Sequence, residues 1–294
     1  MQTLAFVGLG AMGLPMARNL IRAGFALRGY DARTEALDEL RAAGGAACAS
    51  AGEAAQGTDA LVLMVVNADQ ADTVLFTDGA LDALAPGALV LLMSTCPPMA
   101  VAAIGARVAE RGHRFLDAPV SGGTVGAAAA SLSIMVAGAP GDFEAAAPIL
   151  NAVGEKIFHV GEHFGQGAAV KAVNQLLCGV HLAVAGEALS FARQIGVDPA
   201  VALEIVAGSA ASSWMLRDRG PRMLQDQPEV TSAVDIFVKD LGIVLAAGSD
   251  GKVALPLAAA AHQMFLAVSG QGLGAKDDSQ VIRAYEALNL KPGQ

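Results

Sequence analysis

The chain has 294 residues, of which 54% are hydrophobic and 16% charged, and its formal net charge is -9. This composition excludes a disordered protein, and the length allows one large domain or two ordinary ones. The negative charge provides no basic footprint for nucleic acid or for an anionic membrane, although a local basic pocket for a small anion stays open.

The sequence also favours one cellular compartment. Cys48, Cys96 and Cys178 are odd in number, widely spaced and without a Cys-x-x-Cys pair, which favours a reducing environment. The first residues form an apolar, strand-like run with no basic leader or small-residue cleavage site, so we expect no secretory signal. Apolar runs such as Ala60–Val66 are far shorter than the roughly 18 residues of a membrane span. We therefore expect a cytoplasmic protein with no membrane partner.

The first half of the chain alternates short apolar runs with helical patterns. The predicted strands are Leu4–Gly8, Ala26–Tyr30, Leu61–Val66, Ala88–Ser94, Arg114–Ala118, Ser133–Ala137 and Lys156–His159. The predicted helices are Leu14–Ala23, Arg33–Ala43, Asp69–Phe76, Met99–Arg111 and Gly141–Val153. Strands that are apolar throughout are typical of a buried parallel sheet. The pattern predicts a Rossmann-type, doubly wound α/β sheet with right-handed crossovers, over residues 1–163.

Beyond about residue 165 the pattern contains helices alone. A long, nearly all-apolar helix is predicted over Gly167–Gln194, and the shorter ones are Ala200–Gly208, Ala233–Gly248, Pro256–Gly270 and Asp278–Leu288. A helix that is apolar on most faces requires burial on most faces. We therefore expect an all-α domain over residues 164–294, in which the other helices and a partner subunit cover the long helix. This arrangement indicates a homodimer or a homotetramer.

Three glycines lie directly after the first predicted strand and open the first predicted helix. In that position G-x-G-x-x-G is the dinucleotide-binding pattern, here Gly8-Leu9-Gly10-Ala11-Met12-Gly13. The first glycine allows the turn, the second lets the backbone approach a pyrophosphate, and the third allows the helix to pack closely on the strand. A glycine-rich turn without a ligand is the alternative.

An acid at the end of the next strand bears on the choice of cofactor. Asp31 lies eighteen positions after Gly13, close to the ~20 expected of a carboxylate that binds the ribose. An acid accepts a hydrogen bond from a 2′-hydroxyl and repels a 2′-phosphate, which favours NAD over NADP. Arg33 could partly compensate for a phosphate, and Asp31 could instead cap the following helix.

Two further motifs carry candidate chemistry. Lys171 and Asn174 share one face of the long helix at spacing i, i+3. A lysine in apolar surroundings has a lowered pKa, which suits proton transfer near neutrality, whereas an exposed lysine is the structural alternative. The run Asp117-Ala118-Pro119-Val120-Ser121-Gly122-Gly123 ends a predicted strand in a glycine pair behind a hydroxyl. Its N–H groups and the serine could cradle a carboxylate, or form an ordinary loop.

Together with Lys239-Asp240-Leu241, these motifs follow the order and spacing of the β-hydroxyacid dehydrogenase family. The chain resembles that family over nearly its whole length. The resemblance implies a Rossmann domain, a helical domain and hydride transfer between NAD and the carbinol carbon of a small hydroxy acid. It assigns acid/base catalysis to Lys171, orientation to Asn174, the substrate carboxylate to Ser121, Gly122 and Gly123, and cofactor contacts to Val65, Thr95 and Lys239.

Several segments most resemble the branch of the family that oxidises four-carbon acid sugars such as L-threonate at C2. They are Ser212–Met215, Ser232–Asp240 and Gly274–Ser279. A polyhydroxylated acid needs additional donors and acceptors, and Trp214, Arg217 and Asp235 are candidates, although packing, surface charge or capping explains each equally well. Asp278-Ser279 in particular indicates a helix start.

Other interpretations remain open. The family also contains 3-hydroxyisobutyrate dehydrogenases and tartronate semialdehyde reductases, and a non-catalytic dinucleotide-binding protein or an imine reductase would share the glycine loop. Lys171 and Asn174 count against the last two. The run His159-Val160-Gly161-Glu162-His163 has the form of a zinc-protease motif, but that chemistry requires one continuous helix, and Gly161 indicates a turn. We expect no bound metal.

Overall fold

Nine strands form one sheet in the computed structural model, which describes residues 3–289. They are β1 (Thr3–Val7), β2 (Ala26–Tyr30), β3 (Ala46–Ala47), β4 (Ala60–Leu63), β5 (Leu89–Leu92), β6 (Arg114–Asp117), β7 (Val120–Ser121), β8 (Leu132–Ala137) and β9 (Gly154–Gly161). Their order is β3-β2-β1-β4-β5-β6-β8-β7, with β9 paired to β8. Neighbours from β3 to β6 run parallel.

Helices cover both faces of this sheet and form the whole of the second half. They are α1 (Gly13–Arg22), α2 (Thr34–Ala42), α3 (Ala51–Ala55), α4 (Ala68–Asp72), α5 (Ala80–Ala83), α6 (Pro98–Glu110), α7 (Gly123–Ala129), α8 (Pro140–Val153), α9 (Gln166–Gln194), α10 (Pro199–Ala207), α11 (Trp214–Met223), α12 (Val234–Asp250), α13 (Pro256–Val268) and α14 (Ile282–Leu288). Every predicted helix is present, three of them with a π- or 3₁₀-helical turn at one end.

Strand β1 shows why the strands are apolar throughout. Leu4 and Phe6 belong to one apolar layer of the core, whereas Ala5 and Val7 belong to the layer on the opposite face. Successive side chains of a strand point to opposite faces, so a sheet covered on both sides needs apolar residues at every position. The predicted doubly wound α/β class is confirmed.

The prediction of uniformly repeated strand–helix–strand units is wrong after β6. Strand β8 runs antiparallel to β6 and to β7, and parallel to β9. Pro119 lies between β6 and β7 and lacks the N–H that a continuing strand would use. Its carbonyl instead accepts the N–H of Met135 in β8. The glycine-rich segment therefore follows a short strand, β7, that pairs antiparallel with β8.

Six short or weakly patterned elements were absent from the predictions, namely β3, β7, α3, α5, α7 and α11. Helix α11 is the longest of them, and it contains Gly220 and Pro221, two poor helix formers, in its last turn. Ser213 caps it by accepting the N–H of Leu216 at 3.0 Å. Tertiary packing and the cap therefore outweigh the weak local propensity of this segment.

Within this chain helix α9 is buried along one face, and the expectation that a partner subunit covers the rest of it stays a prediction. Buried positions recur every three or four residues, at Lys171, Gln175, Gly179, Leu182, Gly186 and Leu189. The opposite face exposes five apolar side chains, those of Val170, Val173, Leu177, Val184 and Phe191. Within residues 3–289 it is the one helix long and apolar enough to span a membrane, by length and composition only, a test that soluble core helices also pass.

Two compact units divide the chain, Met1–Lys171 and Ala172–Gln294. The first contains the sheet with its two apolar layers, and the second has its own core built from the helices after residue 172. The division falls inside α9, between two of its turns. The domain boundary between residues 163 and 164 stays a prediction, and it assigns all of α9 to the helical domain.

Candidate functional site

The residues predicted to bind the cofactor follow the carboxyl ends of four parallel strands, except Lys239, which lies within α12. The glycine loop follows β1, Asp31 follows β2, Val65 follows β4 and Thr95 follows β5. Parallel strands end at the same edge of a sheet, so these residues share that edge. Because β1 lies between β2 and β4, the loop occupies the point where the strand order reverses, at which open α/β sheets bind ligands.

The three glycines of the loop have distinct spatial roles. Gly8 has a φ of +96°, and a Cβ there would overlap the carbonyl oxygen of Met64. A Cβ at Gly13 would overlap the carbonyl oxygen of Gly8, whereas a Cβ at Gly10 would meet no heavy atom within 4 Å. Two glycines therefore shape the turn, and the third leaves open space beside the start of α1. This arrangement fits a dinucleotide pyrophosphate.

Asp31 connects the glycine loop to Arg33. Its Oδ2 accepts the N–H of Leu9 at 2.7 Å, and its Oδ1 accepts the N–H and Nε–H of Arg33 at 2.9 and 3.1 Å. The guanidinium also donates to the carbonyl of Leu9 at 3.0 Å. Partial burial acts to raise the pKa of Asp31, but the bonds from Arg33 and Leu9 outweigh it and hold the pKa below its usual value. Asp31 is therefore an ionised acceptor beside the loop.

The predicted carboxylate cradle lies at the end of β7. Ser121 is its last residue, and both Gly122 and Gly123 have positive φ angles, of 132° and 61°. A Cβ at Gly123 would meet no heavy atom within 4 Å, so the backbone there is open to a ligand. The glycine pair thus serves a turn and keeps the approach to the main chain clear.

Lys171 lies in the second turn of α9 and is buried, at 6% exposure. The alternative of an exposed helix lysine is therefore wrong. Asn174 lies one turn further along the helix and is half-buried. Its amide Nδ2 donates to Gln175 Oε1 at 2.8 Å and to Cys178 Sγ at 3.4 Å. These bonds orient the Asn174 side chain along the helix.

A buried polar chain in the second unit continues from Asn174. Gln175 donates from its Nε2 to Oδ2 of Asp240, and Oδ1 of Asp240 pairs with Nζ of Lys239 at 2.8 Å. Gln175 and Asp240 are both buried. The sequence reasoning gave neither a role, although an acid inside an apolar helix and directly after a lysine is a usable signal. The chain joins the proposed substrate residue Asn174 to the proposed cofactor residue Lys239.

Asp117 is a third residue to which the sequence alone assigned no role. It ends β6 and is almost fully buried, and its Oδ2 accepts the N–H of Ala168 at 2.8 Å. Burial dominates its ionisation and raises its pKa to about 7, against the N–H groups of Ala168, Gly165 and Gly167, which favour the charged form. An acid that directly follows the buried apolar residues Phe115 and Leu116 at a strand end is the signal that could have found it.

The candidates for contacts with a polyhydroxylated substrate have local partners. Trp214 is exposed at the start of α11, and Arg217 donates to the hydroxyl of Ser212 at 2.7 Å. Oδ1 of Asp235 accepts from the hydroxyl of Ser269 at 2.6 Å. Their role in substrate binding stays a hypothesis. The predicted helix start at Asp278 is confirmed, with Asp277 as its cap.

The zinc-protease pattern lies outside any helix. His159 belongs to β9, stacks on Phe143 with ring centroids 4.8 Å apart, and places Nε2 2.8 Å from the carbonyl oxygen of Gly138. Strand geometry separates the two histidines, which that motif requires on one helix face. In residues 3–289, no three His, Cys, Asp or Glu side chains cluster as a metal ion would need.

Comparison with known proteins covers both units. Residues 3–161 match the profile of the NAD binding domain of 6-phosphogluconate dehydrogenase, and residues 165–285 match that of the NAD-binding of NADP-dependent 3-hydroxyisobutyrate dehydrogenase. L-threonate dehydrogenase of Cupriavidus necator is 43% identical over 100% of this chain and 99% of its own. The crystal structure of 3-hydroxyisobutyrate dehydrogenase from Salmonella typhimurium has a TM-score of 0.91 and 39% identity, covering 96% of this chain and 99% of its own.

A third relative was solved with a small hydroxylated acid. The structure of Mycobacterium tuberculosis 3-hydroxyisobutyrate dehydrogenase with L-serine has a TM-score of 0.85 and 30% identity, covering 99% of this chain and 100% of its own. The similarity to all three relatives therefore extends over both units and includes α9.

The raised pKa of Asp117 predicts that this residue makes stability depend on pH. Because the folded pKa of about 7 exceeds the ordinary 3.8, its contribution is full below about pH 4 and is lost as the pH rises to about 7, by a few kcal/mol at most. In Asp117→Asn this loss is absent. Urea denaturation across that pH range measures it, with Asp198→Asn as the control at an exposed helix-capping carboxylate. Equal pH dependence in both variants and the wild type would contradict the assignment.

Proposed function

Because the chain belongs to the β-hydroxyacid dehydrogenase family, we propose that it oxidises L-threonate at C2 to 2-oxo-tetronate with NAD. Membership of the family makes the protein an NAD-dependent dehydrogenase that acts on the CH–OH group of a hydroxy acid. The observation that carries the choice of L-threonate is the 43% identity to an L-threonate dehydrogenase over the entire chain. The resemblance of the Ser212–Met215 and Gly274–Ser279 segments to that branch supports the same choice.

In the proposed reaction, NAD when bound supplies the acceptor for the hydride that leaves C2. Lys171 in its neutral form accepts the proton of the C2 hydroxyl at Nζ, so that the C–O single bond becomes a carbonyl as the C–H bond breaks. Burial of Lys171 supports this role, because an enclosed side chain is held in place for proton transfer. In the reverse direction, the same ammonium returns the proton.

The carboxylate of the substrate needs donors that hold it without reacting. We assign it to the hydroxyl of Ser121 and to the N–H groups of Gly122 and Gly123, the backbone being open at Gly123. Asn174, whose side chain is oriented by Gln175 and Cys178, positions Lys171 or a substrate hydroxyl. A substrate held at its carboxylate end presents its C2 hydroxyl at a fixed distance, which is the geometric requirement for efficient proton transfer.

The cofactor residues follow the same logic. The pyrophosphate binds to the glycine loop, which consists of Gly8, Leu9, Gly10, Ala11, Met12 and Gly13. The adenine ribose binds to Asp31. Val65, Thr95 and Lys239 complete the proposed set, Lys239 being held by Asp240. Because Asp31 is ionised and paired with Arg33, the loop offers a 2′-phosphate a negative charge and an arginine that is already occupied.

We also propose a cytoplasmic homodimer or homotetramer. The support for the oligomer is the exposed apolar face of α9, on which Phe191 is 61% and Val173 is 63% exposed. Contiguous apolar patches of this kind mark subunit interfaces in other proteins.

Initial rates of NADH formation test the substrate directly. We expect L-threonate to be preferred over D-threonate, 3-hydroxyisobutyrate and glycerate, and NAD over NADP. Preference for 3-hydroxyisobutyrate or glycerate would keep the dehydrogenase chemistry and contradict the L-threonate assignment. No turnover of any of the four acids would overturn the proposed reaction and favour a non-catalytic or imine-reducing protein.

Removal of the proposed acid/base tests the mechanism. Lys171→Ala is expected to lower kcat by at least about 100-fold, because it removes general acid–base catalysis. The dissociation constant for NADH, followed by fluorescence, should stay within about threefold, an energy below roughly 0.7 kcal/mol. Lys156→Ala, at an exposed lysine of β9, is the matched control. Retained turnover in Lys171→Ala would show that another group moves the proton.

The Asp31–Arg33 pair predicts how cofactor preference can be changed. In Asp31→Asn the carboxylate no longer repels a 2′-phosphate or holds the guanidinium, so the NADP-to-NAD ratio of kcat/KM should rise about tenfold or more. The double variant Asp31→Asn with Arg33→Ala should lose most of this gain. Asp38→Asn is the control, because Asp38 forms a comparable surface pair with Arg41 on α2. An unchanged ratio in Asp31→Asn would contradict the role of Asp31.

A further inference from the structure

We propose that Asp117 is a positioning residue whose carboxylate ties the first turn of α9, and thereby Lys171, to the strand that leads into the Ser121 loop. The inference rests on the proposed function, since it assumes that Lys171 and Ser121 act on one substrate. It gives a role to the first residue of the Asp117–Gly123 run, which the binding of a carboxylate does not use.

The contacts of Asp117 support an anchor at the start of the helix. The first N–H groups of a helix have no partner within it. A side chain at the N-cap position normally accepts them, but here that position precedes Gln166 and is Gly165, which has no side chain and a φ of +92°. Oδ2 of Asp117, on a different element, accepts the N–H of Ala168 at 2.8 Å instead. The cap of α9 is therefore supplied by β6.

The glycines before Lys171 make this anchor possible. A Cβ at Gly167 would lie 2.8 Å from the carbonyl oxygen of Asp117 and 3.0 Å from its Cγ. A Cβ at Gly165 would lie 2.6 Å from the carbonyl oxygen of Pro98. A Cβ at Gly167 would also lie 2.5 Å from the carbonyl oxygen of Met135, so a side chain there would push the helix start away from β6 and β8. A side chain at Gly165 would push it away from the start of α6. Gly167 thus allows the close approach to Asp117, and Gly165 allows the close approach to Pro98.

Short stretches of chain connect Asp117 to Ser121 and connect its hydrogen-bond partner Ala168 to Lys171. Lys171 follows Ala168 by three residues, less than one helical turn, and Ser121 follows Asp117 by four residues. The sheet fixes both ends of the latter connection, since Asp117 pairs with Ala137 of β8 and Ser121 pairs with Ser133 of the same strand. A displacement of the first turn of α9 would therefore move Lys171 relative to the Ser121 loop. A misplacement of about 1 Å can cost about 100-fold in rate.

A purely stabilising cap would not need an acid at this place. Burying a carboxylate costs more hydration free energy than burying a neutral acceptor such as an amide. Burial is also the largest influence on the pKa of Asp117, which it raises. Its other oxygen, Oδ1, is buried without a hydrogen-bond partner within the described residues. The group is thus retained at an energetic cost, as is common where a site must be held in one geometry.

Three variants test the proposal. Asp117→Ala removes the acceptor, Asp117→Asn keeps an oxygen that can accept the Ala168 N–H, and Asp198→Ala removes the exposed cap of α10 as a matched control. Three quantities are compared. They are hydrogen–deuterium exchange of peptides spanning residues 163–175, the dissociation constant for NADH, and kcat and KM for whichever hydroxy acid the wild type oxidises fastest.

We expect Asp117→Ala to accelerate exchange in the first turn of α9 and to lower kcat about 100-fold or more. KM and the NADH dissociation constant should change less than about tenfold, because the cofactor loop and the cradle stay intact. Asp117→Asn should restore slow exchange and at least about a tenth of the wild-type kcat. Asp198→Ala should leave all three quantities near those of the wild type.

Two results would overturn the proposal. One is wild-type exchange and kcat within about threefold in folded Asp117→Ala. The other is normal exchange in Asp117→Asn together with a kcat about 100-fold below that of the wild type, which would assign the effect to charge rather than position. This second result can be obtained even if Asp117→Ala does not fold. If the wild type oxidises no hydroxy acid, the proposed function fails, and exchange alone decides whether Asp117 anchors α9.

Discussion

The parallel arrangement of β1, β2, β4, β5 and β6 is the constraint on which the site depends. Parallel strands joined by right-handed crossovers deliver all their carboxyl ends to one edge of the sheet. Residues far apart in sequence, from the glycine loop to Asp117, therefore share that edge without any long-range recognition of their own. The strand interiors are apolar, so the polar groups that the sheet contributes are confined to the few positions at which each strand ends.

Helix α9 adds the proposed proton-transfer group, and its surface reflects two separate demands. One face carries polar residues that are buried, Lys171 and Gln175, while the opposite face leaves apolar residues exposed. Buried polar groups need partners, and Asp240 provides one for Gln175. Exposed apolar side chains need a covering surface, for which a second subunit is the proposed source. The helix therefore buries some polar side chains and exposes some apolar ones, and each of these two features accompanies a proposed function.

The Asp31–Arg33 pair illustrates how one short segment combines structure and selectivity. The carboxylate accepts the N–H of Leu9 while the guanidinium donates to the carbonyl of the same residue. Both groups thereby hold the glycine loop in shape. The same contacts keep Asp31 ionised and restrain Arg33, so the electrostatic conditions for choosing between a 2′-hydroxyl and a 2′-phosphate follow from bonds that also maintain the loop.

The sequence by itself determined the α/β class, the long helix α9, most of the other helices and the position of the glycine loop, because apolar periodicity and glycine placement are local signals. It also pointed to Lys171, since the single lysine of an apolar helix is visible without a fold. Tertiary structure alone decided that β7 and β8 run antiparallel, that only one face of α9 is buried, and that Asp117 rather than a local residue caps α9. Each of these depends on partners distant in sequence, such as Ala168 for Asp117 at a separation of 51 residues, and no local pattern encodes which distant group will supply a hydrogen bond.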